Sequence, residues 1–395
     1  MTRFAERRMG VGWQPDGKAC VTEGTRATIL NVVGARPNFM KIAPLMRAFR
    51  KRPELQPVLV HTGQHYDECM SRLFFEQLEI PRPDVNLDVG SASHAVQTTE
   101  IMNRFEPVVE QYRPDVVLVV GDVNSTIACA LVAVKLGVKV AHVEAGLRSF
   151  DRTMPEEINR LLTDAISDFL FVTEPSGIRN LKHEGIPEEK IFFVGNVMID
   201  TLLANLEQAR SSPILETLGL EARAYAALTL HRPGNVDDRD VFLRVFGAVR
   251  KIAEALPVVF PVHPRTRKNM VRFGMLKEEG AAELGGVRLV EPLGYLDFLK
   301  LMAEARLVLT DSGGIQEETT ILKVPCLTLR ETTERPVTVE VGCNEVVGTD
   351  PARILSAFRR VMSSEAFTCG TPEKWDGRAA ERIADVLVTA LGRLR

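Results

Sequence analysis

The chain has 395 residues, of which 45% are hydrophobic and 26% are charged, a composition typical of globular proteins that bury sizeable cores. Its formal net charge of −3 gives no overall attraction to nucleic acid or anionic membranes, so an anionic ligand must be held by local charges. No apolar run approaches the roughly 20 residues that span a bilayer, and no signal-peptide core is present.

The six cysteines are scattered and show no CxxC or Cys/His spacing. Such spacing is what a zinc site or a disulfide framework would leave in a sequence. We therefore expect reduced thiols, a cytoplasmic location and no bound metal.

Short Val- and Ile-rich runs alternate with longer amphipathic segments after residues 1–25, which have no clear periodicity and are expected to form a flexible extension. The runs are hydrophobic on both faces, as strands of a helix-covered parallel sheet are. Met40–Arg50 and Ile127–Leu136 are examples of the helices predicted between them. The predicted strands are Ala27–Val33, Pro57–Val60, Val116–Val120, Val138–Val143, Phe169–Val172, Ile191–Val194, Ala226–Leu230, Val258–Val262, Val287–Val290, Leu307–Leu309, Cys326–Leu329 and Val346–Val347.

Six of these strands precede a break near Asn196–Ser212 and six follow it, a pattern that predicts two doubly wound α/β domains. We place the N-terminal domain at residues 26–198 and the C-terminal domain at 199–375. A C-terminal helix at 376–395 is expected to pack back on the first domain. Because ligands of such sheets bind at the carboxyl ends of the strands, the sequence predicts a ligand in a cleft between facing domains.

The segment Asp311–Glu318 follows the apolar run Leu307–Thr310 and is predicted to begin a helix. Gly313 and Gly314 allow the backbone to approach a ligand, and the free N–H groups of a first helical turn favour an anion. Glu318, one turn further, could accept hydrogen bonds from two sugar hydroxyls. This layout fits a diphosphate that carries a ribose; the alternative is a tight turn without a ligand.

A basic loop follows the first predicted strand. Gly34 permits a turn, Arg36 can bind a phosphate through two donors, and Lys41 lies about one helical turn into the next helix. A solvated basic helix start is the alternative. The loop is not GxGxxG and has no Walker lysine, so dinucleotide or ATP binding is disfavoured.

Carboxylates follow the neighbouring strands of the first domain. Asp122 and Glu144 come just after predicted strands, and Glu156 and Glu157 start a helix. Asp122 could instead cap a helix, and one of the paired glutamates could only complement a helix dipole. Crowded carboxylates in a partly dry cleft raise one another's pKa, so we expect an acid and a base here near neutral pH.

Charged residues also follow the strands of the second domain. His231 and Arg232 come after one strand and are candidate anion contacts, and His263 comes after the next strand. A histidine at a strand end is more often a packing or capping residue. Arg335 lies in the later segment Arg330–Pro336, which could also be a loop held by internal salt bridges.

Taken together, these motifs resemble those of one family. The order GARPNFMK, TGQH, GDVNST, HVEAGLRS, MPEEINR, GNVMIDTL, HRPGN, PVHPR, DSGGIQEE and RETTERP resembles the non-hydrolysing UDP-N-acetylglucosamine 2-epimerases from about Thr28 to Asp350. The resemblance implies a GT-B fold, with two Rossmann-like domains around the active site. It also implies reversible epimerisation at C2 by elimination of UDP to a 2-acetamidoglucal and re-addition, without a metal or other cofactor.

The resemblance implies a role for each matching residue. The catalytic residues it implies are Asp122, Glu144, Glu156 and His231. The UDP-binding residues it implies are Arg36, Lys41, Phe298, Ser312, Gly313, Gly314, Glu318 and Arg335. Within these sets, Glu318 is expected at the ribose, Phe298 near the uracil and Ser312 at the phosphates.

Some members of the family bind a second UDP-sugar as an activator. Gln64, Arg232 and His263 match remnants of that site, whereas Asp67 and Glu100 replace a glutamine and an arginine. Two added negative charges would repel a second diphosphate. We therefore expect no activation of this kind.

The preferred interpretation is interconversion of UDP-N-acetylglucosamine and UDP-N-acetylmannosamine. The alternatives are 2-epimerisation of a modified UDP-sugar, such as a diacetamido uronate, and a UDP-sugar glycosyltransferase of the same fold. The expected partners are the UDP-sugar, UDP and a second copy of the chain in a homodimer, and neither nucleic acid nor membrane.

Overall fold

The computed structural model describes residues 26–64, 77–277, 281–363 and 369–392. Over these residues the chain forms two seven-stranded sheets, each with helices on both faces. The strands of the first sheet are β1 (Ala27–Val33), β2 (Leu55–His61), β3 (Val85–Asn86), β4 (Val116–Val120), β5 (Lys139–Ala145), β6 (Phe169–Val172) and β7 (Ile191–Phe193). The strands of the second are β8 (Ala226–Thr229), β9 (Val258–Pro261), β10 (Glu283–Leu284), β11 (Val287–Val290), β12 (Leu307–Thr310), β13 (Cys326–Thr328) and β14 (Asn344–Val346).

Helices connect the strands. They are α1 (Arg36–Arg50), α2 (His94–Tyr112), α3 (Asn124–Lys135), α4 (Pro155–Ile166), α5 (Pro175–His183), α6 (Val197–Arg210), α7 (Ile214–Thr217), α8 (Pro233–Val236), α9 (Arg239–Ala253), α10 (Pro264–Arg272), α11 (Tyr295–Ala303), α12 (Gly313–Leu322), α13 (Val337–Glu340), α14 (Pro351–Met362) and α15 (Ala379–Gly392). None of the helices in the described ranges is both long and apolar enough to cross a membrane.

Strand β4 shows why the sequence folds in this way. All five of its residues are aliphatic and buried. Val116 and Leu118 pack in the core on one side of the sheet, and Val117 and Val119 pack in the core on the other. Because neighbouring strand residues point to opposite faces, such a run is stable only between two layers of helices.

The sheet orders are β3-β2-β1-β4-β5-β6-β7 and β10-β11-β9-β8-β12-β13-β14. All pairs are parallel except the antiparallel pair β10 and β11. In both sheets the strand order reverses beside the first strand of that half, so ligand-binding loops gather at this switch point. The predicted GT-B fold of two doubly wound domains is thereby confirmed.

The prediction of six strands in each half was wrong by one strand in each sheet. The additional strands β3 and β10 have two residues each and lie at sheet edges. A pair of residues cannot show an apolar alternation, so no pattern in the sequence marks these strands.

The predicted break between the halves is occupied by helix α6. Its residues Val197 and Leu202 belong to a core cluster with members from both halves. The Thr201 hydroxyl also donates a hydrogen bond of 2.5 Å to the Met40 carbonyl in α1. Helix α15 packs on α1 and α6, and its first turn donates two backbone N–H groups to the Asp200 carboxylate. The three helices form one packed layer between the sheets.

The expectation of reduced thiols was wrong for Cys343 and Cys369, which form a disulfide with a Cα–Cα distance of 4.8 Å. The Gly370 N–H donates to the Val341 carbonyl at 2.7 Å, and this contact brings Cys369 beside Cys343. The pairing depends on how the fold brings these two segments together, and the spacing of the cysteines does not reveal that. Cys129 and Cys326 are buried free thiols, and Cys20 and Cys69 lie outside the described residues.

Replacing Cys369 with serine should lower the free energy of unfolding by about 2–4 kcal/mol, because the bridge closes a loop in the unfolded chain. Thermal unfolding with and without reductant measures the effect. The reductant should shift the wild-type transition and leave that of Cys369→Ser in place. A wild-type midpoint that does not respond to reductant, with both thiols alkylated in peptide mapping, would contradict the bridge.

Candidate active site

A cavity of about 300 Å³ opens between the carboxyl ends of the strands of both sheets. The sequence-predicted residues that line it are Lys41, Asp122, His231, Arg232, His263, Phe298, Ser312, Gly313, Gly314, Glu318 and Arg335. They follow β1, β4, β8, β9, β11, β12 and β13. Both halves therefore contribute side chains to one cavity, as the sequence predicted.

One end of this cavity is apolar. Leu230, Pro261, Pro292, Leu293 and Phe298 line it. Phe298 is half-buried and packs against the core. A flat, weakly polar ring could be bound there by apolar contact.

The amino end of helix α12 forms the polar side of the cavity. Ser312 is the N-cap residue, and its backbone N–H donates to the Thr310 hydroxyl at 2.9 Å. A β-carbon at Gly313 would lie 2.7 Å from Arg335 Nη1, so glycine is needed to let the arginine approach the helix. The unpaired N–H groups and the dipole of this turn favour a bound anion.

Glu318, on the same helix, is buried beside a residue that the sequence did not identify. Tyr295 Oη lies 3.3 Å from Glu318 Oε1, and the Tyr295 side chain also lines the cavity. Burial, with a smaller contribution from the charge of Glu317, raises the pKa of Glu318 to about 8. A neutral carboxyl can both donate and accept a hydrogen bond, which suits a ribose diol.

The raised pKa of Glu318 predicts a pH dependence of folding stability. Between its ordinary pKa of 4.5 and about 8, the folded protein binds the proton that the unfolded chain releases, so stability falls as the pH rises. Relative to wild type, Glu318→Gln should therefore gain a few kcal/mol of unfolding free energy from about pH 5 to pH 8. Urea unfolding across this interval measures the difference. The exposed Glu221→Gln should follow the wild type; a constant offset for Glu318→Gln would refute the raised pKa.

Glu144 has the most unusual backbone in the site. Its φ angle is 77°, and the register of β5 against β6 shifts between Val143 and Ala145. A non-glycine residue in this region is uncommon and often functional. Its carboxylate is paired with Lys41 from the same half and lies 2.5 Å from Arg335 Nη2 of the other half. One predicted catalytic carboxylate is thus held by cations from both domains.

Arg335 is held by carboxylates on all sides. Besides Glu144, its guanidinium contacts Glu317 at 2.6 Å and Glu334 at 3.1 Å. Burial raises the pKa of Glu317 despite this contact. Around Glu334, burial is outweighed by Arg335, Arg330 and other arginines, which hold its pKa well below the ordinary value. The internal salt bridges considered for this loop therefore exist, while Arg335 also lines the cavity.

Asp122 lies at the cavity wall with its side chain 29% exposed. Its Oδ2 is 2.5 Å from Arg160 Nη1. Burial tends to raise its pKa, but the charges of Arg160, then Lys41 and Arg335, outweigh burial and lower the pKa. The expectation that crowded carboxylates raise the pKa was wrong for Asp122, because cations lie between them. The sequence did not identify the role of Arg160, which lies three residues after Glu157 in the predicted helix.

The two glutamates at the start of α4 have different surroundings. Glu157 is buried and accepts hydrogen bonds from the Ser149 and Phe150 backbone N–H groups, each at 3.0 Å. Arg160 completes its contacts at 2.6 Å. Glu156 is half-buried and lies outside the residues that line the cavity. Glu157 therefore holds the loop that precedes the helix.

His231 is oriented by Asp311, for which the sequence suggested no role. Asp311 is fully buried and lies 3.1 Å from His231 Nδ1. It also accepts the backbone N–H groups of His231 and Arg232, at 3.0 Å and 2.9 Å. The charge on its carboxylate favours a proton on Nδ1, which leaves Nε2 as the nitrogen free to interact with a ligand.

Of the three predicted activator residues, two line the cavity and one does not. Gln64 is buried, and its Oε1 accepts the Ser125 hydroxyl at 2.7 Å, whereas Arg232 and His263 line the cavity. Glu100 pairs with Arg104 at 3.2 Å on the surface. Two residues named in the sequence analysis are not described by the structure: Asp67 and the side chain of Arg36 lie outside the described residues.

Within the described ranges no group of three or more His, Cys, Asp or Glu side chains has a geometry that could hold a metal ion. The arrangement instead combines an anion-binding helix terminus, a buried carboxyl that could bind a diol, an apolar end and carboxylates held by cations. Such a set can bind a nucleoside diphosphate and transfer protons on a group attached to it.

Comparisons with known proteins agree with this geometry. A family profile described as UDP-N-acetylglucosamine 2-epimerase matches residues 47–388. The UDP-N-acetylglucosamine 2-epimerase of Methanocaldococcus jannaschii is 42% identical over 366 residues, 90% of this chain and 97% of that protein. The UDP-2,3-diacetamido-2,3-dideoxy-D-glucuronate 2-epimerase of Pseudomonas aeruginosa is 41% identical over 363 residues, 91% of this chain and 99% of its own.

Among solved structures, the M. jannaschii UDP-GlcNAc 2-epimerase in complex with UDP-GlcNAc and UDP superposes with a TM-score of 0.84. It is 43% identical, and the match covers 92% of this chain and 99% of that one.

Proposed function

Because the chain belongs to the UDP-N-acetylglucosamine 2-epimerase family, we propose that it interconverts UDP-N-acetylglucosamine and UDP-N-acetylmannosamine. The observation that carries the proposal is the shared cavity. Asp122 of one half lines this cavity together with the anion-binding helix terminus and Glu318 of the other, and Glu144 lies behind its lining, paired with the lining residues Lys41 and Arg335. A relative bound to UDP-GlcNAc and UDP has the same fold over almost its whole length.

The reaction begins with an elimination. A carboxylate takes the proton from C2 of the sugar, the electrons of that C–H bond form a double bond between C1 and C2, and the C1–oxygen bond breaks toward UDP. In the return step, C2 takes a proton on the opposite face and UDP re-forms the bond to C1. Each step needs a proton acceptor or donor beside the sugar and positive charge beside the diphosphate.

We assign proton transfer at the sugar to Asp122 and Glu144, and we keep Glu156, which does not line the cavity, in the catalytic set on the resemblance of its motif to that of the family. The lowered pKa of Asp122 suits a group that must be ionised before it accepts a proton. His231, with Nε2 available, is assigned to the departing diphosphate. Proton transfer through a positioned side chain typically accelerates a reaction by about 10²–10⁴-fold.

We assign UDP binding to the other residues around the cavity. The uracil would occupy the apolar end beside Phe298, the ribose would bind Glu318, and the phosphates would bind the first turn of α12. Lys41 and Arg335 would balance the charge of the diphosphate. The residues in this assignment are Arg36, Lys41, Phe298, Ser312, Gly313, Gly314, Glu318 and Arg335.

Turnover of UDP-N-acetylglucosamine in deuterium oxide tests the proposal. Proton NMR should show UDP-N-acetylmannosamine forming, with deuterium at C2 of both epimers. An epimer without deuterium at C2 would contradict elimination and re-addition. Free mannosamine sugar with UDP would indicate a hydrolysing enzyme.

A modified UDP-sugar is a second candidate, because the diacetamido-glucuronate epimerase is almost as similar to this chain as the first relative is. Parallel assays with UDP-N-acetylglucosamine and the diacetamido uronate decide between the two. The preferred substrate should have a kcat/KM at least about tenfold higher, the discrimination expected of a substituent that is bound specifically.

The homodimer and the cytoplasmic location stay predictions. Light scattering of the purified protein measures the first. The bridge between Cys343 and Cys369 bears on the cytoplasmic location, since disulfides are rare in reducing cytosols outside hyperthermophiles.

Hyperbolic initial rates, with no lag when UDP-N-acetylmannosamine is the only substrate, are expected if no activator is required.

A further inference from the structure

The two turns that carry Asp122 and Glu144 both have left-handed backbones. Gly121, just before Asp122, has a φ angle of 69°, and Glu144 itself has one of 77°. Such a conformation persists in a non-glycine residue when the surrounding structure holds it. A buried network of side chains behind the two turns provides the contacts that do so.

Asp164, on α4, holds both ends of the Glu144 turn. Its Oδ1 lies 2.6 Å from His142 Nδ1, and its Oδ2 accepts the Gly146 backbone N–H at 3.0 Å. His142 and Gly146 lie two residues before and two residues after Glu144. One fully buried carboxylate therefore spans the turn, without lining the cavity itself.

His142 extends this network to the second turn. Its Nε2 lies 2.8 Å from the Gly121 carbonyl, which can only accept, so Nε2 carries a proton. The Gly121 N–H in turn donates to the Val143 carbonyl at 3.0 Å. Both backbone polar groups of Gly121, the residue before Asp122, are thus hydrogen-bonded to the strand that leads into Glu144.

Arg148 completes the charge balance around Asp164, with Nη2 at 2.7 Å. Burial tends to raise the pKa of Asp164, but the charges and hydrogen bonds of His142 and Arg148 outweigh it and lower that pKa. An ionised carboxylate only accepts, so in this arrangement Nδ1 of His142 is the donor to Asp164.

We propose that Asp164, acting through His142, is a positioning residue that sets the relative placement of Asp122 and Glu144. This inference rests on the proposed function of those two carboxylates. Substitution of Asp164 should displace both groups, and a displacement of about 1 Å costs roughly 10²-fold in rate. The UDP contacts assigned above lie mainly in the other half, so UDP affinity should be retained.

The kinetic test compares Asp164→Ala with Asp164→Asn. Alanine removes all three hydrogen bonds, and kcat should fall about 10²-fold with the Kd for UDP within about threefold of wild type. The asparagine amide can donate to the Nδ1 of a neutral His142, which preserves the Gly121 contact, so its kcat should fall only about tenfold. Asp168→Asn is the matched control. Its carboxylate accepts the Val140 N–H at 3.0 Å at the opposite end of β5, and its kcat should stay within about twofold of wild type.

An NMR test does not depend on activity. In protein labelled with ¹⁵N-histidine, the ring signals lost in His142→Gln should show both nitrogens protonated in the wild type and only Nε2 protonated in Asp164→Asn. If Asp164→Ala does not fold, Asp164→Asn and His142→Gln provide the kinetic comparison, with a fall in kcat and an unchanged Kd for UDP expected.

The proposal would be overturned by turnover of Asp164→Ala within about twofold of wild type, or by a neutral His142 in the wild type. A loss of UDP binding in parallel with kcat would also overturn it, because that result indicates a general loss of structure. A wild-type protein that binds UDP without epimerising any UDP-sugar would contradict the proposed function instead, and the NMR comparison would still test the network.

Discussion

Replacing Glu144 with glutamine should reduce kcat by about 10²–10⁴-fold, the contribution expected of a positioned acid or base. Glutamine keeps the shape of the side chain and cannot take up or release the proton at C2. The change also removes the negative charge between Lys41 and Arg335. Both cations then interact more strongly with a diphosphate, so the Kd for UDP should stay constant or decrease. Steady-state kinetics and calorimetric titration with UDP measure the two effects.

A fall in turnover without any weakening of UDP binding excludes a general loss of structure, which would weaken both. The exposed Glu188→Gln provides the control and should behave as wild type in both assays. Turnover of Glu144→Gln within a few-fold of wild type would remove Glu144 from the catalytic set.

Replacing Arg335 with glutamine should lower the free energy of unfolding by about 3–5 kcal/mol, because buried carboxylates lose the cation that compensates them. Glu144, Glu317 and Glu334 all contact this guanidinium at 3.1 Å or less. The Kd for UDP should also rise, by roughly tenfold to a hundredfold, if Arg335 interacts with the diphosphate. Chemical unfolding and UDP titration measure the two losses.

The double variant Arg335→Gln/Glu317→Gln tests the cause of this destabilisation. It should recover part of the lost stability, since one of the uncompensated carboxylates is removed. Arg353→Gln is the control, because its pair with Glu331 is exposed and 3.6 Å apart, and such pairs contribute about 0–1 kcal/mol. No recovery in the double variant would show that the loss comes from packing and not from charge.

Much of the fold could be predicted because burial leaves a periodic pattern in the sequence. The unbroken aliphatic run of β4 predicts a central parallel strand, and polar residues after such strands predict the cavity edge. The two-residue strands β3 and β10 could not be found, since hydrogen bonds at a sheet edge require no apolar pattern.

The partners of the charged residues could not be predicted. Arg335 and Glu144 are separated by 191 positions, and their contact depends on how the two halves pack. The same is true of three other residues whose partners the sequence did not predict: Asp311, Tyr295 and Arg160. Each lies within or beside a predicted motif, but its role is set by a distance between elements. The apolar periodicity of a sequence shows which residues are buried, but it does not show which charged side chains contact each other.

The layer formed by α1, α6 and α15 has a consequence for recombination between relatives. Because α6 is buried against elements of both halves, a crossover at residues 198/199 would combine contact surfaces from two parents within one core. Chimeras that take α1, α6 and α15 from a single parent should fold, whereas those that join the parents inside α6 should aggregate. The part of the fold that must come from one parent is then the three-helix layer with the sheet it covers. Each half alone lacks part of the core that it needs.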